Sequence, residues 1–327
     1  MLNRLVALIL FFALVGSYAC FDDVPHENPL DPHNTENRLT IDGTVQTYYP
    51  PRRPIANAIV TIQPGNRRIF SNQEGYFIFT DILSDDYTVY ATAEGYHQDS
   101  IQITIDGTET SLDFELDGLP YFKNIAMTTH HVSRHFPIDE MYSLQIDATV
   151  DDNDGIADIN QVSFAIPEFN QTSILDATQD FGVFSKTLSI EEVPVSSIHA
   201  LIGRQFILNV TDDVGITVSS DAQFLTRVID LTPQLEFPIE LDTVATTQNV
   251  FRWERVHLNY PFICKLEIFQ INIGNLVKVK EYTNIPADER SIVIDYEFSR
   301  GNYLWILTII DEFGNTSSSK EGTFHVE

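Results

Sequence analysis

The stretch NQEGYFIFTDI, residues 72–82, decides how this chain is read. Gly75 stands where a tight reversal needs a positive φ, which a residue without a Cβ adopts freely. After it, Phe77 and Phe79 fall on one face, because strand side chains alternate between two sides. The same two-residue period recurs in TVYATA (88–93), IQITI (101–105), LDFEL (112–116), SLQIDATV (143–150), QFILNV (205–210), SIVIDY (291–296) and YLWILTII (303–310). Gly, Asp, Asn and Pro bound these runs at short intervals, which is the pattern of β-sandwiches. Long amphipathic helix patterns are absent. The one helical interruption lies in SIEEVPVSSIHALIG (189–203), where Pro194 allows only a short turn after it. The expected fold is all-β: three tandem β-sandwich domains after a signal peptide and a short tether.

A chain of 327 residues exceeds what one core usually organises. Against 47 aspartates and glutamates stand only 19 lysines and arginines, a formal charge of −28. Nucleic acid and anionic head groups repel such a polyanion, so no nucleic-acid partner is expected. The acidity is not that of a disordered chain, because apolar residues reach 43% and aromatic residues 11%. Cys20 and Cys264 are the only cysteines. Cys264 lies in FICKLEI, where Phe262, Cys264, Leu266 and Ile268 share a face, so its thiol is expected in a core.

The first twenty residues read MLNRLVALILFFALVGSYAC. Arg4 precedes an apolar run from Leu5 to Val15, shorter than the roughly twenty residues a membrane helix needs. Small residues at Gly16, Ser17 and Ala19 lead to Cys20, the layout of a removable export signal. A cysteine at the cut resembles the bacterial lipoprotein signal, although that family usually has Leu where Ser17 stands. The resemblance implies a signal peptide over 1–19, acylation of Cys20 and a lipid-anchored place in the bacterial envelope, at the outer membrane. Residues 20–37, acidic and containing three prolines, read as a tether.

Residues 38–118 carry Gly43, Ala58 with Val60, Gly75-Tyr76-Phe77, Tyr87 with Val89, and Gly95-Tyr96. Together these resemble the carboxypeptidase regulatory-like domain, which implies a seven-stranded transthyretin-like sandwich; Asp85-Asp86 replace that family's Gly before the strand Tyr. Residues 119–228 contain VDDNDGIADINQVSFAI and FILNVTDDVGI, which resemble bacterial surface immunoglobulin-like domains with acidic glycine turns joining strands. Residues 229–327 resemble a fibronectin type III domain through Phe251, Trp253, Gly301, Tyr303, Trp305, Asp311, Gly314 and Asn315. That family's tyrosine corner places Leu six residues before the Tyr, whereas Phe298 lies five before Tyr303, leaving the corner bond open. Trp253 and Trp305 are expected to share one core.

DDNDGIAD (151–158) invites a calcium reading, but an EF-hand register would put Val150 and Gln161 at the anchoring positions. An ordinary acidic hairpin turn is the favoured reading, and a non-EF calcium site on Asp152, Asp154 and Asp158 is the alternative. His130, His131 and His135, beside Asp139, would chelate zinc from a helix. Strand-like surroundings instead separate His131 and His135 by roughly 13 Å, too far for one metal. His26-Glu27 lacks the spacing of a carboxypeptidase zinc motif, and no nucleophile elbow, phosphate loop or Cys-His pair occurs. The reading is a non-catalytic protein with no cofactor, anchored through lipidated Cys20. It serves as a structural, display or protein-interaction module with an envelope or surface protein partner. The alternative is a glycan-binding lipoprotein using Tyr48, Tyr49, Tyr96 and Tyr121 as stacking surfaces.

Overall fold

The computed structural model describes residues 39–107, 110–135 and 139–327. The leader, Cys20 and the tether lie outside the described residues. The chain divides into two compact units at Gly118/Leu119. Among the described residues, the only helical segments are 3₁₀ turns. One of them, Ile198–Leu201, follows Pro194 as the proline pattern predicts.

The first unit holds β1 (Leu39–Thr47), β2 (Ile59–Gln63), β3 (Arg67–Phe70), β4 (Tyr76–Ile82), β5 (Asp86–Thr92), β6 (Asp99–Thr104) and β7 (Thr110–Leu116). They form a three-stranded sheet, β4-β1-β7, and a four-stranded sheet, β3-β2-β5-β6. Alternate residues of both sheets fill the core: Ile41 and Val45, Val60 and Ile62, Phe77 and Phe79, Val89, and Phe114. Gly75 has φ 75°, as the turn requires. Gly43 answers a different need. Parallel β1 and β7 approach so closely that a Cβ there would sit 1.8 Å from the Leu112 carbonyl oxygen.

The second unit opens with β8 (Tyr121–Arg134), β9 (Asp139–Asp151), β10 (Ile159–Ile166), β11 (Gln171–Ile174), β12 (Asp176–Ala177), β13 (Val183–Ser189), β14 (Gln205–Asp212), β15 (Thr217–Ser219) and β16 (Gln223–Phe224). It continues with β17 (Leu235–Phe237), β18 (Asp242–Val244), β19 (Asn249–Trp253), β20 (Phe262–Asn272), β21 (Asn275–Pro286), β22 (Ser291–Ile294), β23 (Gly301–Asp311), β24 (Thr316–Ser318) and β25 (Gly322–Val326). Two separate cores result. In one, Leu144, Ile146 and Ala148 of β9 meet Val162 and Phe164 of β10 and Phe206 and Leu208 of β14. In the other, Phe251 and Trp253 of β19 meet Cys264 and Leu266 of β20, Tyr303, Trp305 and Leu307 of β23, and Phe324 of β25.

These two sandwiches are spliced. Parallel pairing of β8 with β24, at His130↔Thr316, His131↔Ser317 and Val132↔Ser318, makes one ten-stranded sheet out of strands from both. Nothing in the local sequence pattern announces this bond between segments so far apart along the chain.

Two expectations are revised. DDNDGIAD is not a hairpin: β9 pairs with β8 and β13, whereas β10 pairs with β11 and β14, so the segment arches from one sheet to the facing one. The tyrosine corner is also closed despite the shifted Phe298. The Tyr303 hydroxyl donates to the Ser299 carbonyl at 2.9 Å, and its ring stacks on Phe324.

Candidate functional site

The arch between β9 and β10 gathers the acidic residues that the sequence singles out. An arch crossing between sheets passes over the end of the core rather than into solvent, and its side chains are buried accordingly. Asp152, Asp154 and Asp158 are exposed by only 7%, 5% and 2%. The Asp152 Oδ1 accepts the Asp154 backbone N–H at 3.0 Å, a tight Asx-type turn. Its carboxyl lies within hydrogen-bonding reach of the Asp154 carboxyl and feels the charge of Asp158. Burial first, then these neighbouring carboxylates, push Asp152 up to about 8. A carboxylate oxygen of Asp154 and one of Asp158 lie within 4.8 Å of each other, but Asp152 is not part of that cluster, so the three residues of the calcium alternative do not converge on one point.

Asp212, at the end of β14, sits beside this group. It pairs with Ile159, and the next amide, Asp213 N–H, donates to the Asp158 carbonyl at 2.8 Å. The Asp212 Oδ1 accepts from Gly215 and Ile216, while its Oδ2 is buried and accepts no hydrogen bond. Asp212 is not among the candidate ligands that the sequence singles out. The second acidic string, TDDVGI (211–216), is the signal that points to it. Oxygen donors packed at this density suit a hard cation.

THHVSRH is used for construction. On β8 the alternate residues Thr129, His131 and Ser133 point into the splice and are buried. The Thr129 N–H donates to the Asn315 side chain at 2.9 Å, and its hydroxyl donates to the Arg227 carbonyl at 3.0 Å. His131 contacts the Ile229 carbonyl through Nδ1 and Glu140 through Nε2 at 2.6 Å, with its ring stacked on Tyr142 at 4.1 Å. Ser133 donates to the other Glu140 oxygen, and this bond leads the causes holding Glu140 below the usual carboxylate range. His130, on the opposite face, meets the Thr316 hydroxyl, and burial lowers its pKa. His131 is thus held as a strand residue with protein partners on both ring nitrogens. Nothing is described of the Asp139 side chain.

Arg227 closes the same region from the other side. Its guanidinium lies 2.9 Å from the Asp311 Oδ2, bonds Glu312, and stacks on Tyr260 at 3.8 Å. Asp311 itself caps the β23–β24 turn: its Oδ1 accepts from the Phe313 and Asn315 amides, and its Oδ2 from the Asn315 side chain.

The remaining candidates resolve as packing or as scattered surface. Cys264 is buried, and burial pushes its thiol up to about 12. Trp253 and Trp305 share one core; Trp305 meets Phe251 at 4.9 Å and donates to the Pro238 carbonyl. Tyr48 and Tyr49 stand nearly perpendicular, at 85°, and Tyr96 leans on the first core. Tyr121, at the start of the second unit, donates to Asp151.

Residues 40–117 match the family described as the carboxypeptidase regulatory-like domain. No curated protein matches the chain. Among solved structures, BcpA, the major pilin subunit of Bacillus cereus, is 11% identical at TM-score 0.29, covering 86% of this chain and 92% of that one. The fibronectin(III)-like modules of Clostridium thermocellum CbhA are 10% identical at TM-score 0.30, covering 64% of this chain and 93% of theirs. The FN1-FN3 domains of chicken CNTN1 are 9% identical at TM-score 0.31, with 89% and 95% covered. The chain thus carries a region similar to the carboxypeptidase regulatory-like domain, followed by two further β-sandwiches joined through one sheet.

Proposed function

We propose that this protein is a non-catalytic structural and interaction module, anchored in the bacterial envelope by acylated Cys20. The observation that carries the reading is the long hairpin of β20 and β21. Among the described residues, β21 pairs only with β20 and forms an edge of the ten-stranded sheet. At its turn Ile273 is fully exposed, and Leu276 and Val277 on β21 are exposed beside it. An unpaired edge with apolar side chains offers a partner both backbone hydrogen bonds and buried area. The chain's formal charge of −28 favours a partner bearing lysines and arginines.

The glycan reading is favoured less, because its tyrosines do not form a flat platform: Tyr48 and Tyr49 meet edge to face. Two experiments test the proposal. Cys20→Ser should move the protein from the membrane to the soluble fraction, since acyl chains contribute about 0.8 kcal/mol per buried CH₂. Continued fractionation with membranes would refute the anchor. Intact protein isolated from its own envelope should carry a partner that Leu276→Lys with Val277→Lys loses. Retention by that variant, with release by a soluble polysaccharide, would favour the glycan alternative.

A further inference from the structure

The two-residue turn of the β20–β21 hairpin carries a residue that its shape disfavours. Asn272 pairs with Asn275 across it, and Ile273 and Gly274 between them have φ of 49° and 82°. That is type I′ geometry, in which Asn-Gly is the favoured pair because both central positions need a positive φ. An isoleucine, branched at Cβ, is crowded by its own backbone there. Of the nine non-glycine residues with positive φ among the described residues, five are Asn or Asp, and Ile273 alone is β-branched. It gains no burial in exchange, being fully exposed. The tip also stands clear of the sheet. β20 pairs with β23 as far as Gln270↔Tyr303, whereas its pairing with β21 runs on through Ile271↔Leu276 to Asn272↔Asn275. Backbone strain of this kind collects where recognition or catalysis uses it.

We propose that Ile273 is the anchor by which this protein holds its partner, entering an apolar pocket of a protein whose rim bears lysines or arginines. The inference rests on the edge-strand reading above and adds to it the residue that carries the affinity. A lone apolar side chain at the end of a two-stranded arm reaches a concave surface that a sheet edge does not. Anchors buried in such pockets supply most of an interface's energy. Charge selects the kind of partner. A second copy of this chain and anionic lipid head groups are both repelled by a formal charge of −28, whereas a basic rim is attracted. Lys278, close behind the tip on β21, is already neutralised by Glu267 and Glu281.

The test uses the full chain in detergent, immobilised and exposed to the detergent-solubilised proteins of its own envelope, with Ile273→Asn and Ile273→Leu beside it. Ile273→Asn installs the preferred Asn-Gly turn, so the thermal transition of the second unit should rise by about 2–4 °C. Binding of the captured partner by the same variant should fall at least about tenfold. Ile273→Leu keeps the apolar bulk without the branch at Cβ and should bind within about twofold of the wild type. Stabilisation together with lost binding is a pattern that a purely structural residue does not show. A lower transition for Ile273→Asn, or undiminished binding by it, would overturn the proposal. If Leu276→Lys with Val277→Lys loses the partner while Ile273→Asn keeps it, the edge reading stands and the anchor falls; if neither loses it, both fall. Two further arms use the chain with Cys20→Ser. Sedimentation with vesicles of phosphatidylcholine and phosphatidylglycerol that depends on Ile273 would put a membrane in place of the protein pocket. Self-association that depends on Ile273 would put a second copy there.

Discussion

Two acidic glycine turns in the second unit look alike in sequence, DDNDG at 151–155 and DEFGN at 311–315, yet the fold completes them differently. Asp311 receives two backbone amides, the Asn315 side chain and the Arg227 guanidinium, so the charge it buries is answered from within the chain. Asp152 receives one amide and otherwise faces carboxylates. The difference follows from topology. DEFGN closes a hairpin between β23 and β24, and the residues opposite it on β8 and at Arg227 are polar. DDNDG crosses between sheets, where the residues beneath are Val150, Val162 and their apolar neighbours. A buried carboxylate is costly without a partner: one turn has an internal cation, while in the other Asp152 keeps its proton up to about 8.

The comparison is broken most strongly by removing the scaffold under the Asp311 turn. Trp305→Ala should cost about 3–5 kcal/mol, the range for truncating a buried aromatic. Because β8 and β24 splice the two sandwiches, both halves of the second unit should lose stability together, while the first unit, with its own core, keeps its transition. Calorimetry with domain-resolved probes reads this. An unchanged transition for residues 119–228 would show that the splice transmits no stability.

Arg227→Met sharpens the contrast by leaving Asp311 without its cation. Since Asn315 and two amides remain, the loss should be about 1–3 kcal/mol, that of one charged partner, measured by denaturant titration. Adding Asp311→Asn to that variant should recover part of the loss. A double variant no more stable than Arg227→Met alone would contradict the assigned pairing.

The arch should also reveal itself through pH. The folded chain holds the Asp152 proton up to about 8, whereas the unfolded chain releases it near the ordinary carboxylate value. Below that ordinary value both states are protonated and the group contributes nothing. As pH rises from there toward 8, the unfolded state is increasingly favoured, so the second unit should lose stability over that window and level off above it. Asp152→Asn should flatten this slope. A slope that survives the substitution would place the titrating group elsewhere.

The smallest effect expected is at Cys264. With its thiol raised to about 12 and buried, alkylation in native buffer should be negligible until the second unit unfolds. Rapid labelling of native protein would mean that β20 opens locally.

The first unit is legible in the sequence because each of its signals is local. Gly75, Phe77 and Phe79 state a turn and a strand within eleven residues, and Gly43 marks a close approach. Tyr303 and Trp305 are readable as core from the two-residue period of β23 alone. Other features depend on which strands pair. His131 is readable as a strand residue but not as part of a seam, because its partners Ile229 and Ser317 lie far along the chain. The acidic arch reads as a hairpin because an Asp- and Gly-rich turn is usually solvated. Only the assignment of β9 and β10 to different sheets shows why its carboxylates are buried. Asp212 escapes local reading for the same reason: its neighbourhood with Asp158 is a consequence of β10–β14 pairing.

The most direct test of this contrast is residue-resolved amide hydrogen exchange on the full chain, below and above the pH of about 8 at which Asp152 ionises, with each rate referred to its intrinsic rate at that pH. The account predicts that amides of 152–158 lose protection once Asp152 ionises, while those of 311–315, whose Asp311 is paired within the chain, keep theirs. Equal behaviour of the two turns, whether both respond or neither does, would contradict it.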